Sequence, residues 1–271
     1  MVKKTDNLFI QKITLFLFVI FFAFWFLLQF FRNSDTSLQV QVFSGTYSIV
    51  ALCGGIFGLI VSRKWGGFKS VIGKSISFLS LGLLAQFFGQ ISYSLLFIFT
   101  KTIPYPSFGD IGYVGSILLY SLGLIYLGKA AGLVYRLKNI SNWFFYVILP
   151  LSFMYLSYWL FLKAYVFDWS NPVKVVLDFA YPFGETIYIS IAISIFFLSR
   201  GMLGGLMKSK VLLVLFTLLI QFSADYGFLL FSNYGTVHPA GWNDLLYLFA
   251  YYFMTLSLIE LLNVYNQIKK L

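Results

Sequence analysis

Apolar runs long enough to cross a lipid bilayer recur along the whole chain, and no other feature constrains its fold as much. A spanning helix needs about 17–25 mostly apolar residues. Such runs lie at Leu8–Phe31, Thr46–Ser62, Ile76–Phe99, Ile111–Gly128, Trp143–Leu162, Val175–Leu198, Val211–Phe231 and Leu245–Leu262. Backbone groups in lipid must find their partners within the segment, so the expected fold is all-α, a polytopic membrane protein of about eight transmembrane helices. The residues are 60% hydrophobic and 10% charged, against roughly 25% charged in soluble domains. That composition excludes a soluble domain and a disordered chain, and the lone Cys53 excludes a disulfide-built scaffold.

The net charge of +10 does not mark a nucleic-acid binder, because the basic residues fall in short groups between spans and form no continuous face. Their distribution instead orients the chain. With the N-terminus inside, 15 Lys and Arg lie in cytoplasmic segments, while Arg32, Lys101, Lys163 and Lys174 lie outside. Basic residues stay on the cytoplasmic side, so both termini are expected there, in the cell membrane. The first apolar run exceeds a signal peptide's and lacks a small-residue cleavage site, so it reads as a retained span. Loops are short, which leaves a single transmembrane domain.

Within that domain a motif recurs. Gln86 and Gln90 in span three match Gln221 and Asp225 in span seven. Each copy then runs through a loop with a proline to an acid and, three residues later, a tyrosine: Pro106, Asp110 and Tyr113, then Pro239, Asp244 and Tyr247. A weaker copy is Tyr181-Pro182-Phe183-Gly184-Glu185 with Tyr188. The expected organisation is a two-helix unit over 1–75, then hairpin repeats over 76–138, 139–207 and 208–271, made of spans three–four, five–six and seven–eight.

An ionisable group at the bilayer centre costs about 2.5–3.5 kcal/mol on insertion scales, so it needs a partner or a purpose. Asp110, Asp178, Glu185, Asp225 and Asp244 all fall in the outer half or at its rim and would converge if the hairpins pack side by side. Glu185 lies two helical turns, about 10 Å, below Asp178, with Pro182 and Gly184 expected to bend the helix between them. Gln221 shares a face with Asp225. These acids, with Gln221, Tyr113, Tyr188, Tyr247 and Trp242, are the candidate ligand-binding residues of a pocket open to the outside; Trp159, Trp169 and Trp242 are placed to roof it. Structural roles stand beside this reading: Asp110 and Asp244 can cap helices, Asp178 can pair with Lys174, and the glutamines can bond between helices. Glu185 and Asp225 have no Lys or Arg at their depth, so each needs a proton or a partner from outside the chain. Glu260, near the inner end, is expected to be solvated or close to Lys269.

One histidine and one cysteine exclude a His/Cys zinc site and bis-histidine haem. Phosphate-cradling loops, nucleophile elbows and HExxH are missing too, and Phe108-Gly109-Asp110 lacks the Gly-x-Gly-Asp pattern of intramembrane aspartyl proteases. No metal, cofactor or catalytic residue is therefore expected. Gly54, Gly55 and Gly58 suit close helix packing, and the His238 loop reads as a turn.

The runs Tyr105-Pro106-Ser107-Phe108-Gly109-Asp110-Ile111-Gly112-Tyr113, Leu177-Asp178-Phe179-Ala180-Tyr181-Pro182-Phe183-Gly184-Glu185 and Ala224-Asp225-Tyr226, with Gly241-Trp242-Asn243-Asp244-Leu245-Leu246-Tyr247, carry a resemblance. Together they resemble the uncharacterised multi-span membrane module at the N-terminus of some bacterial and archaeal diguanylate cyclases and histidine kinases. The resemblance covers spans three to eight and implies a sensory role, with Asp110, Asp178, Asp225 and Asp244 at the marked positions. Glu185 stands where such proteins carry Asp, and the sequence reaches Leu271 without an output domain.

The expected function is a non-enzymatic membrane sensor or binding module. A small cationic or hydrogen-bonding ligand would enter from outside and repack the helices toward a cytoplasmic or membrane protein partner. The tail Leu258–Leu271 carries Leu258, Leu261, Leu262, Tyr265 and Ile268 at helical spacing, suited to such a partner or to the membrane surface. The alternatives are a proton- or cation-coupled small-solute transporter and a structural subunit of a membrane complex.

Overall fold

The computed structural model describes residues 4–31, 34–100, 104–132, 144–198 and 205–269. Among them there is no strand. Helix α1 is Lys4–Phe31; α2 (Leu38–Thr46) and α3 (Ile49–Lys64) share the second span; α4 is Val71–Thr100 and α5 is Phe108–Ala130. Helix α6 (Leu149–Ser157) is flanked by π-helical turns at Phe144–Ile148 and Tyr158–Leu162. Then follow α7 (Pro172–Leu198), α8 (Gly205–Asn233) and α9 (Trp242–Ile268). Seven of these segments are long and apolar enough to cross a membrane, and Leu149–Leu162 is a shorter apolar helix. The chain is thus a multi-pass helical protein by length and composition.

The boundaries differ from the sequence reading chiefly in the second span, which reaches back to Leu38. Gln39, Gln41, Ser44 and Thr46 dilute its hydropathy, yet Val40, Phe43 and Tyr47 on the same segment are fully buried. In the fifth span, Trp143 lies outside the described residues.

Six helices close a ring: α3 packs on α4, α4 on α5, α5 on α7, α7 on α8, α8 on α9 and α9 back on α3. Helix α1 lies outside it against α9, and α6 lies outside it against α7. Glycines let the ring close. A side chain at Gly54 or Gly58 would collide with Thr255 or Leu258 of α9, and one at Gly112 would come within 2.5 Å of the Ala85 carbonyl oxygen and the Gly89 nitrogen on α4. In lipid, helix association depends on such close contacts, since apolar burial gives little drive there. Large apolar side chains such as Phe16, Leu118 and Phe216 face outward, the surface a lipid solvent requires.

Several hydroxyls in the spans are satisfied within their own helices. The hydroxyls of Ser80, Thr217, Thr255 and Ser257 donate to carbonyls four residues earlier in their own helices. At the end opposite the acids, Glu260 pairs with Lys210 at 2.6 Å and accepts Gln11 Nε2 at 2.8 Å. It does not pair with Lys269, because α8 brings Lys210 to it first. The amphipathic stretch expected to meet a partner or the membrane surface begins as the last part of α9, where Leu258, Leu261 and Leu262 are buried within the chain and Trp65 Nε1 donates to the Leu261 carbonyl at 3.1 Å.

A candidate binding site among acids and phenols

Asp110 sits in the first turn of α5. Its Oδ2 accepts the Ser107 N–H at 2.6 Å and the Ser107 hydroxyl at 3.0 Å, the return arm of a capping box. Its Oδ1 accepts the phenol of Tyr181 from α7 at 2.7 Å. Asp244 repeats the arrangement at the start of α9: Oδ2 accepts the Ala240 N–H at 2.7 Å, and Oδ1 accepts the phenol of Tyr47 at 3.2 Å. Asp110 thus closes the box that caps α5, Asp244 holds the N–H of the residue ahead of Gly241 at the start of α9, and each ties its helix to a tyrosine of another span. A carboxylate can do both because it has two oxygens.

Deeper in the ring, Gln221 Nε2 donates to both oxygens of Asp225, at 3.2 and 3.0 Å, and the Tyr247 phenol donates to Oδ1 at 2.8 Å. The other hairpin has the same contact with a neutral acceptor, where the Tyr113 phenol donates to Gln90 Oε1 at 2.7 Å. Gln90 also donates to the Ser44 carbonyl, and Gln86 bridges Ser116 and Tyr251. The glutamines thus join helices, as expected. Tyr247, which holds Asp225, is one turn from Asp244 on α9, and Tyr181, which holds Asp110, is one turn before Glu185 on α7.

Glu185 on α7 is 1% exposed, and its Oε2 has no hydrogen-bond partner. Beside it the hydroxyl of Tyr188, also fully buried, has no well-formed bond either. Pro182 stays inside α7, and its carbonyl gathers Thr186, Tyr226 and, more distantly, Ser157. Glu185 lies 13 residues past Pro172, the start of α7, whereas Asp110 lies two past Phe108, the start of α5. The Tyr-Pro motif therefore opens a helix in one place and lies within one in the other.

Asp178 stands apart from this group. Its oxygens accept the phenols of Tyr105 and Tyr165, each at 2.7 Å, and no ion pair joins it to Lys174 among the described residues. Loss of surrounding water and the bond to Asp178 push Tyr165 up to about 12 and hold Tyr105 well above the ordinary phenol range. Nearby, Asp168 is held below the usual carboxylate range by the hydroxyl and N–H of Ser170.

Trp242 is 69% exposed and packs edge-on to Trp25, whose Nε1 donates to the Gly241 carbonyl. Trp159 and Trp169 are exposed as well. Sequence reasoning missed Tyr47 and Tyr181. A signal existed: Tyr181 follows Tyr47 by 134 residues (181 − 47), and Asp244 follows Asp110 by the same 134 (244 − 110). No group of three or more His, Cys, Asp or Glu among the described residues could hold a metal ion. Comparison of the chain with protein-family models, curated proteins and solved structures finds no match.

Proposed function

We propose that this chain is a membrane-embedded sensor or binding module. A cationic or hydrogen-bond-donating small molecule enters the acid-lined ring from the outer side and shifts the packing of α7 against α8 and α9. The observation that carries the reading is the gathering of Asp110, Asp225, Asp244 and Glu185 at one end of the ring. Their side-chain partners are phenols, hydroxyls and an amide, and no basic residue pairs with them among the described residues. Excess negative charge in a low-dielectric site attracts cations strongly. The 15-to-4 distribution of basic residues supports placing that end outside, with both termini cytoplasmic.

The output is a change in helix packing, because a ligand shifts an equilibrium only through different affinities for its two states. A cytoplasmic or membrane partner would read it. In place of three hairpins, the repeated contacts support two halves, one ending in α5 and the other in α9. Binding is preferred to transport because Ser80, Thr217, Thr255 and Ser257, nearer the opposite end, bond to their own helices.

Native mass spectrometry of the gently extracted protein, beside a Glu185→Gln/Asp225→Asn double variant, tests the reading. A bound small molecule in the wild type, lost in the variant, is expected. A bare mass in both, or a stoichiometric second protein, overturns it in favour of transport or of a structural subunit.

A further inference from the structure

At the end of the ring opposite the acids, Gln11 ties α1 to Glu260 of α9 at 2.8 Å. Helix α1 packs chiefly on α9, and a crevice of about 280 Å³ remains between α1 and α3. Its floor is Val61, Ile259 and Leu262, all buried; its lips are Phe9 and Ile60, both exposed; and Phe57 lies one turn deeper on α3. Every side chain that lines it is apolar. A cavity of about 150 Å³ with such a lining holds benzene, so this one has room for a stretch of hydrocarbon chain.

The mouth of the crevice is basic. The face of α3 that lines it runs Phe57, Ile60, Val61 and then Lys64 at helical spacing, with Arg63 in the same last turn. Lys12 lies one turn along α1 from Phe9, inside an apolar span, and is exposed. Among the described residues no acid pairs with any of these three. Glu260, the acid at this level of α9, is already held by Lys210 and Gln11, and ahead of Phe9 the sequence carries Lys3 and Lys4 against Asp6. A cation in a span needs a partner, and a long side chain reaches the headgroups to find one. Trp65 and Tyr265 pack edge-on just past the crevice, with ring centroids 5.5 Å apart, and such residues sit at headgroup level.

We infer that this crevice binds one acyl chain of an anionic phospholipid, whose phosphate is held by Lys64, Arg63 and Lys12 in the leaflet away from the acids. The apolar floor takes the tail on the membrane side of Trp65, and the three cations take the headgroup. A turn of helix from another protein, about 10 Å across and 5.4 Å long, occupies more space than the crevice has. The inference requires that the chain lie in a membrane and needs no ligand at the acids, so it stands or falls apart from the binding-module reading.

The test uses the full chain in liposomes of phosphatidylcholine and phosphatidylglycerol, one or the other carrying a photoactivatable group on the same acyl chain. Labelled sites are read by peptide mass spectrometry. Phosphatidylglycerol should label Phe9, Phe57, Ile60 or Leu262 about fivefold or more over phosphatidylcholine, and Arg63→Gln/Lys64→Gln should remove the preference. Lys208→Gln, which removes an exposed cation from α8, a helix that does not line the crevice, should leave it intact. Equal labelling by the two lipids overturns the inference, as does a preference that survives Arg63→Gln/Lys64→Gln or is lost in Lys208→Gln. A crevice free of label, the sign of a second copy or another protein seated there, overturns it too. A phosphatidylglycerol adduct that disappears from native spectra of Glu185→Gln/Asp225→Asn would overturn the crevice assignment and not the reading of the acids.

Discussion

At the residue scale the recurring unit is an acid held by phenols: Asp110 by Tyr181, Asp178 by Tyr105 and Tyr165, Asp225 by Tyr247, Asp244 by Tyr47. Tyrosine suits this place because it gives one donor on an apolar body and adds no charge. Hydrogen bonds between transmembrane helices average about 0.6 kcal/mol and reach about 1.7. Tyr181→Phe and Tyr47→Phe should each cost about that much in detergent unfolding, additively, since their acids lie on different helices. The Asp178 clamp should respond to alkali. Tyr165 is raised from the ordinary phenol value to about 12, so its contribution is complete below about pH 10 and is lost as pH rises toward 12. Phenolate absorbance should show a late-titrating group that Tyr165→Phe removes; an unchanged curve would contradict the assignment. The acids could be found in the sequence because charge in a membrane is costly. Their phenols could not, because among 19 tyrosines an interfacial anchor is the default role.

At the element scale, close approach decides the geometry. Gly89, Gly109 and Gly112 bring α4 against α5 so that Tyr113 reaches Gln90. Gly112→Ala would force the two backbones apart and should lower the unfolding temperature more than Gly115→Ala, where an added methyl meets nothing within 4 Å. Equal melting of the two variants would refute the contact. Span existence followed from apolar run length alone, and the ends did not. Helix α2 was missed because polar residues on its open side average out the buried Val40 and Phe43. The π-turns around α6 have no distinct sequence signal, since they arise where side chains such as Ser157 bond to a neighbouring helix.

For the whole molecule, the decisive contact is the one between α3 and α9, which closes the ring by joining the first half to the last helix. A Cβ at Gly54 would lie 3.0 Å from that of Thr255 and closer still to its hydroxyl, inside ordinary contact distance. Gly54→Ala should therefore push α3 from α9 and lower the unfolding temperature in detergent. An unchanged melt would argue against this closure. By itself the sequence determined the helical, multi-pass character, the candidate spans and the short list of costly acids. All of these follow from the local price of placing polar groups in lipid. Tertiary structure alone decided which acid meets which tyrosine and that Glu185 is buried inside the ring. Those depend on helix neighbours and rotations, which glycine contacts and interhelical hydrogen bonds set between residues far apart in the chain.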